Sequence, residues 1–339
     1  MSTSLHPASP PTREGRLRSI SFKPSQEQIV LIITIVLLVV FGVALPGFAS
    51  VANLLNLMRS ISILGILGLG MGLIVISRGI DLSEVAIMAG SWSVALIEIQ
   101  KGVPIFWAAL IAVAIAVCIG VANGVMVAFV EAPGLFVTLA AGFVIYGMAF
   151  WFAPAWVVYA PKDTPGLMFL GAGHIFGIPV PIIVFAVAAI SMHLFLSRTS
   201  TGRFIYGQGD NPEAARMAGI ALRPLIVLEY VIVALVAWLA GLVWIGTTGS
   251  MQMQITQGTM VFDVILVVVL GGISLVGGRG GVFSVLVGCA LIGTLLDAFT
   301  IMDINSEAQN IIRGIVLLSA IILDNWLHPR DEETVRQGD

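Results

Sequence analysis

Long apolar runs follow one another along almost the whole chain, and this succession constrains the fold more than any other feature. Runs of about 18 or more apolar residues are typical of membrane-spanning helices. Only 10% of the residues are charged, against about 25% in a soluble domain, so polar groups cannot cover a water-facing surface. The sequence therefore predicts an all-α, polytopic membrane protein.

We expect about ten spans, an even number that places both termini on one side of the membrane. They are predicted at 28–46, 58–77, 83–100, 104–128, 134–152, 180–197, 224–246, 259–276, 282–299 and 308–327. Pairs of glycines spaced by four residues in these runs, as in Gly68/Gly72 and Gly120/Gly124, predict close packing of helices, because small residues let backbones approach.

Lysine and arginine placement predicts the orientation, because these residues favour cytoplasmic loops. With the N-terminus in the cytoplasm, twelve of the 16 fall in inside segments and three, Arg59, Lys101 and Lys162, fall outside. Arg313 lies within the last span. The asymmetry predicts an N-in, C-in topology.

The spans divide the chain into three parts. Residues 1–27 are predicted to be a disordered cytosolic arm, 28–327 the membrane domain and 328–339 a cytosolic tail. Two connections are long: 153–179 on the outside and 198–223 on the inside.

Several functional classes have no support in the sequence. The net charge of −3 argues against nucleic-acid binding. The histidines are scattered, without the spacing of metal ligands, so no metal site is predicted. Cys118 and Cys289 lie in apolar runs and are interpreted as small core residues. No Gly-x-x-x-x-Gly-Lys-Ser/Thr segment occurs, so ATP hydrolysis would need another chain.

A compact polar segment, GQGDNPEAARMAGI at 207–220, interrupts the apolar pattern. Asn211 or Asp210 can cap a helix N-terminus, and Pro212 suits the first helical position. Gly219 is placed for a left-handed C-terminal cap. The segment therefore predicts a helix of about two turns, over 212–218.

Two interpretations of this short helix are open from its residues alone. Glu213 adds negative charge at the positive end of the helix dipole, which suits any surface helix that joins two spans. A helix this short is barely stable in water by itself, so it must dock, and it could be presented to a cytosolic partner.

Four segments resemble the membrane subunits of ABC importers of the ribose, arabinose and galactose type. They are TGRFIYGQGDNPEAARMAGI (201–220), RGIDLS (78–83), LGGISLVGGRG (270–280) and AQNIIRGIVLLSAIILD (308–324). The positions that match the family's motifs are Gly209, Asn211, Ala214, Ala215, Arg216 and Gly219; Gly79, Asp81, Leu82 and Ser83; and Gly271, Gly272, Ser274, Gly277 and Gly278. The resemblance extends from about residue 28 to 327.

The resemblance implies a type II-like importer membrane domain in the bacterial inner membrane, and no enzyme. A second permease copy or a homologous sister subunit would complete the pathway. A separate cytosolic ATPase would bind ATP and Mg²⁺, so this chain needs no cofactor, and a periplasmic sugar-binding protein would dock outside. In this scheme the helix of Pro212, Glu213 and their neighbours couples the ATPase to the membrane domain.

The resemblance implies a sugar cargo: a pentose, hexose, sugar alcohol or autoinducer-2-like compound. The chain departs from the family's pattern at Glu84-Val85-Ala86 and at Tyr146-Gly147, which leaves the specific substrate open. The alternatives are an ion-coupled secondary transporter and a branched-chain amino acid permease.

Charged residues near or within spans are costly and often functional. Asp81 either caps the following helix or pairs with Arg78, or it shapes a break beside the pathway. Asp263 either pairs locally or gates the outer mouth. Glu229 is interpreted as structure at the cytoplasmic edge.

We further expect Asp297 and Arg313, which flank the last outside loop, to form an ion pair. An echo between 79–82 (GIDL) and 272–275 (GISL) fits the duplicated architecture of transporters, although chance is an alternative.

Sugar recognition uses planar polar groups and aromatic faces, and the expected passage is largely apolar and weakly polar. For each candidate residue for sugar contact, packing or anchoring at the membrane interface is the competing interpretation. The candidates are Asn53, Asn56, Asn123, Trp92, Trp244, Gln252 and Gln254, of which Asn56, Asn123, Trp244 and Gln252 are the preferred pathway positions.

Overall fold

The structure is a computed structural model that describes residues 25–152, 156–161 and 164–327. The predicted arm up to residue 24 and the tail 328–339 lie outside the described residues. The helices are α1 (Gln26–Ala44), α2 (Val51–Ile76), α3 (Glu84–Gln100), α4 (Ile105–Ala128), α5 (Gly134–Phe152), α6 (Pro165–Ala172), α7 (Val180–Arg198), α8 (Ser200–Asp210), α9 (Pro212–Met217), α10 (Leu222–Thr248), α11 (Met260–Gly271), α12 (Val282–Ile301) and α13 (Ser306–Leu327). The strands are β1 (Val157–Tyr159), β2 (His174–Ile175), β3 (Ile178–Pro179) and β4 (Ser250–Gln252), and a 3₁₀ turn covers Met253–Gln257.

Each of the ten predicted spans coincides with a helix, namely α1 to α5, α7 and α10 to α13. Within the described ranges, seven helices are long and apolar enough to cross a membrane: α1, α2, α4, α5, α7, α10 and α12. The polytopic all-α class is therefore confirmed, whereas the count of ten spans is not. The span predicted over 259–276 ends early as α11, because Gly272 has a left-handed φ of +103° and stops the helix.

Helix α2 forms the centre of the molecule. Every residue from Ser62 to Ile76 is buried, and α2 packs against α7, α10, α11 and α12. Helix α1 is peripheral, with only Val30 and Thr34 buried, and it packs against α12.

The predicted glycine contacts are present. A Cβ added at Gly120 would lie 2.8 Å from the carbonyl oxygen of Tyr230, and one at Gly124 would lie 2.6 Å from Cα of Val227. Helices α4 and α10 therefore meet backbone to backbone. Gly72 similarly leaves room for Ile273, which a Cβ would meet at 2.9 Å.

The described residues of the outer connection, 156–161 and 164–179, include strands β1 to β3 and helix α6. Strand β1 pairs antiparallel with β4, so the connections before α7 and after α10 share a two-stranded sheet. Helix α6 docks on α10 where a Cβ at Gly171 would lie 1.9 Å from the carbonyl carbon of Gly246.

On the opposite side, residues 200–210 form helix α8, which the sequence analysis did not predict. Gly202, Gly207 and Gly209 lower the helix propensity of this segment. The Thr199 hydroxyl caps the helix by accepting from the Gly202 amide at 3.0 Å, and Ile205 is completely buried. Packing therefore overrides propensity here.

Candidate functional site

The short polar helix predicted from the sequence is α9, and Asn211 joins it to α8. The Asn211 amide donates to the Gly207 carbonyl at 3.1 Å, while its side-chain oxygen accepts from the Ala214 amide at 3.0 Å. Of the two predicted caps, Asn211 and Asp210, the structure uses Asn211. One residue thus ends α8 and begins α9, with Pro212 in the first helical position.

Gly219 terminates α9 as predicted, with φ +85°. Its amide donates to the Arg216 carbonyl at 3.0 Å, and the next amide, of Ile220, donates to the Ala215 carbonyl at 3.1 Å. These two bonds form a Schellman motif, which satisfies carbonyls that would otherwise lack donors. Both ends of α9 are therefore fixed.

Helix α9 presents a mixed surface to solvent. Glu213, Ala214 and Arg216 are exposed, and Glu213 lies 3.6 Å from Arg216. Met217 is 89% exposed, whereas Ala215 is buried against its own chain. The helix therefore docks through Ala215 and leaves an exposed apolar methionine beside a charged pair.

Arg78, at the end of α2, is bonded to the end of α8. Its Nε donates to the Gly209 carbonyl at 2.6 Å, and its terminal nitrogen donates to the Asp210 carbonyl. The last carbonyls of a helix have no partner within the helix, and a cation there is also favoured by the helix dipole. The Arg78–Asp81 pair considered in the sequence analysis is wrong: these carbonyls take the guanidinium instead.

Glycines bring a third segment to the same point. The Gly278 amide donates to the Ile76 carbonyl at 2.8 Å. A Cβ at Gly209 would lie 1.8 Å from that carbonyl oxygen, and one at Gly277 would lie 2.7 Å from the Gly209 carbonyl oxygen. We call this meeting of residues 76–78, 209–210 and 277–278 the cytoplasmic junction. It unites three of the four segments that carry the family resemblance.

Tyr206 strengthens this junction, because its hydroxyl donates to the Gly280 carbonyl at 2.8 Å. Burial, and secondarily the charge of Glu27, raises the pKa of the Tyr206 hydroxyl above its usual value. The hydroxyl therefore stays protonated and remains a donor.

Asp81 organises the turn between α2 and α3. Completely buried, it accepts from both the amide and the hydroxyl of Ser83, at 2.8 and 2.6 Å. Asn123 donates to the Ser83 hydroxyl at 2.9 Å, and the Leu82 amide donates to the Thr138 hydroxyl at 3.0 Å. Asp81 does not cap α3 itself, because the first amides of α3 receive no side-chain cap; it holds the turn before that helix through Ser83. Asn123, a pathway candidate, is engaged in the same network.

The echo between 79–82 and 272–275 has a structural counterpart. Both α2 and α11 end in a left-handed residue, Arg78 (φ +71°) and Gly272 (φ +103°). In each case the next amide, of Gly79 or Ile273, donates to the carbonyl five residues earlier in the chain. Ser274 then accepts from the amide two residues on, as Asp81 does. The two helix ends therefore align Arg78 with Gly272, whereas the sequence echo aligns Gly79 with Gly272, a difference of one residue. Gly271 is a contact point, where a Cβ would lie 2.1 Å from the Ser284 carbonyl oxygen.

Two buried acids, Glu229 and Glu84, lie near α8 and the turn between α2 and α3. Gln208 of α8 lies 3.4 Å from the buried carboxylate of Glu229 in α10. Glu84 is completely buried at the start of α3, and neither of its oxygens has a hydrogen-bond partner among the described residues. The sequence marks Glu84 as a departure from the family pattern, and an acid at the start of an apolar run is itself a signal of a functional or structural role.

At the outer side, the predicted Asp297–Arg313 ion pair is wrong. Arg313 lies 3.3 Å from Asp263 and donates to the Thr259 hydroxyl at 2.8 Å. Helix α13 packs against α11, which brings Arg313 to Asp263. Asp297 instead accepts from Asn53 Nδ2 at 2.7 Å.

A cavity of about 640 Å³ opens between the outer parts of α2, α10, α11 and α12. Trp244, Asp263 and Asp297 are among its lining residues. Of the other candidates, Asn56, Gln252 and Gln254 are exposed. Trp92 is fully buried and stacks on Trp238 at a centroid distance of 5.8 Å. Trp244 is thus the pathway candidate that lines a cavity at this side.

The long apolar helices form a bundle, and α8 outside it is bonded to the end of α2 and to the segment after α11. This arrangement defines a multi-pass membrane transport domain. Residues 53–321 match the family described as branched-chain amino acid transport system / permease component. The chain belongs to this permease family, and it is a multi-pass protein of the inner membrane.

Individual relatives cover most of the chain. The ribose import permease of Haemophilus influenzae is 31% identical over 89% of this chain and 94% of its own length. The fructose import permease of Rhizobium meliloti is 28% identical, covering 89% and 86%. The L-arabinose transport system permease of Escherichia coli is 29% identical, covering 88% and 90%. No solved structure matches the chain with significance.

Proposed function

We propose that the chain is the membrane-spanning permease subunit of an ABC importer for a neutral monosaccharide. Relatives that match most of its length include permeases named for ribose, fructose and L-arabinose. A separate cytosolic ATPase drives the import and holds ATP and Mg²⁺. A periplasmic binding protein delivers the sugar, and a second permease copy or sister subunit completes the complex.

The observation that carries the proposal is that α8, which continues into α9 through Asn211, is bonded at the cytoplasmic junction. Helix α9 is fixed at both ends and exposes Met217, an adaptable apolar side chain of the kind that suits a partner's groove. Behind it, Arg78 and Gly209 tie α8 to the end of α2. A push on α9 by the ATPase therefore reaches the central helix through direct backbone contacts.

The test is reconstitution of the chain with its cognate ATPase and binding protein in proteoliposomes. Uptake of D-ribose, D-fructose and L-arabinose is measured beside L-leucine, because the family description names branched-chain amino acids. We expect ATP-dependent uptake of at least one sugar and none of L-leucine. ATP-dependent leucine uptake would establish the amino acid alternative. Uptake driven by an ion gradient without the ATPase would establish a secondary transporter.

The docking of α9 has its own test. Met217→Glu places a charge where an apolar contact is proposed and is expected to abolish co-purification with the ATPase. Met302→Glu is the matched control, since Met302 is 50% exposed on the outer side. Equal ATPase binding by both variants would show that α9 is only a linker.

A further inference from the structure

We propose that the cavity between α2, α10, α11 and α12, called here the outer cavity, is a transit site for neutral, polyhydroxylated ligands that excludes anions and amino acids. This inference rests on the proposed function and adds to it a location and a chemical reason for selectivity. The volume of the outer cavity, about 640 Å³, falls in the range of about 300–1,000 Å³ typical of small-molecule sites.

The wall of the outer cavity is rich in hydrogen-bond acceptors. The Thr247 hydroxyl donates to the Val243 carbonyl at 2.8 Å, and the Thr248 hydroxyl donates to the Trp244 carbonyl at 2.9 Å. Because a hydroxyl has a single hydrogen, these two side chains offer only lone pairs to a ligand. Both line the cavity.

Two carboxylates add to this acceptor surface. Asp263 is only 7% exposed, and its Oδ1 has no hydrogen-bond partner among the described residues, although Oδ2 lies 3.3 Å from Arg313. Asp297 also lines the cavity, and its Oδ2 accepts from Asn53. A buried acceptor without a partner is costly, so a donor supplied by a ligand at Asp263 Oδ1 would be stabilising.

Trp244 contributes an apolar ring and a donor. It lines the cavity, and its Nε1 is buried without a partner among the described residues. A sugar ring suits such a wall, because its C–H face packs on an indole while its hydroxyls donate to the surrounding acceptors.

The same wall disfavours other ligands. Helix α11 begins at the cavity, but the positive end of its dipole is already matched by Asp263 in its first turn. Arg313 is engaged by Asp263 and Thr259. Arg59, beside the lining residue Ser60, donates to the Asn56 side chain. A phosphate or an α-carboxylate would face the like charge of Asp263 and Asp297. The wall opposes this repulsion only with neutral donors, such as Trp244 Nε1 and the hydroxyls of Ser60 and Thr259.

The outer cavity shares helices with the cytoplasmic junction. Helix α2 lines the cavity as far as Leu64 and reaches the junction at Ile76, about 18 Å further along at 1.5 Å per residue. Helix α11 likewise begins at the cavity and leads into the segment that holds Gly277 and Gly278. A movement at the junction can therefore reshape the cavity without an intervening flexible segment.

Saturation-transfer difference NMR on the purified full chain in lipid nanodiscs tests this site without the ATPase. The probes are D-ribose, D-ribose 5-phosphate and L-leucine, and we expect transfer to D-ribose but not to the other two. Trp244→Leu and Asp263→Asn should weaken D-ribose binding about fivefold or more, the value of one hydrogen bond of about 1 kcal/mol. Equal signals from D-ribose and its phosphate would overturn the proposed selectivity.

Matched controls separate the cavity from general effects on folding. Thr294→Val is the control for Thr247→Val, because both hydroxyls donate to the carbonyl four residues back and only Thr247 lines the cavity. Trp107→Leu, at a 57% exposed position on α4, is the control for Trp244→Leu. Cavity variants that bind D-ribose like their controls would place the ligand elsewhere.

The uptake assay keeps this inference distinct from the proposed function. ATP-driven sugar uptake that is unchanged by the Trp244 and Thr247 variants would overturn the transit site and leave the importer function intact. Binding of D-ribose in the cavity without ATP-driven uptake of any sugar would support the site and overturn the proposed importer.

Discussion

Arg78 at the end of α2 donates through Nε to the carbonyl of Gly209 at the end of α8, at a distance of 2.6 Å. This bond joins two segments 131 residues apart in the sequence. Arg78 adopts a left-handed backbone conformation, φ +71°, which is unfavourable for a residue with a side chain. The guanidinium offsets that cost by serving the last carbonyls of α8.

Replacing Arg78 by glycine distinguishes the effect of its strained backbone from the effect of its side-chain hydrogen bonds. In Arg78→Gly the left-handed backbone is relaxed but the bonds to the Gly209 and Asp210 carbonyls are lost. We expect a folded chain whose sugar-stimulated ATPase activity falls at least about tenfold, the effect of bonds worth about 1.5–3 kcal/mol. Arg78→Lys should rescue only in part, because an ammonium lacks the planar fork.

The control for Arg78 is Arg203→Ala. Arg203 is exposed on α8 and its side chain donates to the neighbouring Ser200 hydroxyl. Unchanged coupling in Arg78→Gly, measured in the reconstituted complex, would remove Arg78 from the transmission path.

Two glycines of α8 should respond oppositely to alanine. A Cβ at Gly209 would lie 1.8 Å from the Ile76 carbonyl oxygen, whereas one at Gly207 finds its nearest neighbour at 3.8 Å. Gly209→Ala should therefore destabilise the chain by about 1–3 kcal/mol through overpacking. Gly207→Ala should be neutral or stabilise by up to about 1 kcal/mol through helix propensity. Thermal unfolding followed by tryptophan fluorescence measures both, and an equal response would contradict the close contact at Ile76.

A double-mutant cycle tests which acid pairs with Arg313. We expect Asp263→Asn and Arg313→Gln to be non-additive in unfolding free energy, by at least about 0.5 kcal/mol. Asp297→Asn and Arg313→Gln should add within about 0.3–0.5 kcal/mol. Non-additivity of the Asp297 pair instead would restore the interpretation drawn from the sequence.

Asp81 should make stability depend on pH. Burial raises its pKa from 3.8 to about 6, although its bonds to Ser83 oppose the shift. The folded chain therefore holds this proton more tightly than the unfolded chain, and the stabilisation present below 3.8 is lost as the pH rises through about 6. Asp81→Asn keeps an acceptor for Ser83 and removes the titration.

The measurement is the difference in thermal midpoint between the wild-type chain and Asp81→Asn. We expect the thermal midpoint of Asp81→Asn to rise relative to that of the wild type as the pH increases from about 4 to about 7. Asp303→Asn, which removes an exposed carboxylate from the outer turn, is the control. Parallel curves for wild type and Asp81→Asn would contradict a titrating Asp81.

Local chemistry made much of this molecule predictable. Hydropathy located a helix for each predicted span, because membrane-spanning helices need long apolar runs. The caps of α9 were readable for a similar reason: Asn211, Pro212 and Gly219 act on backbone groups within a few residues of themselves. Each of these features depends on sequence neighbours alone.

Tertiary structure alone decided which distant groups meet. Helix α8 contains three glycines and forms because it packs against the ends of α2 and α10. Arg313 pairs with Asp263, not Asp297, because α13 lies against α11. The physical reason is that hydropathy places residues at a depth in the membrane but does not specify which helices are neighbours. The backbone contacts of Gly209 with Ile76 and the walls of the outer cavity both depend on that choice of neighbours.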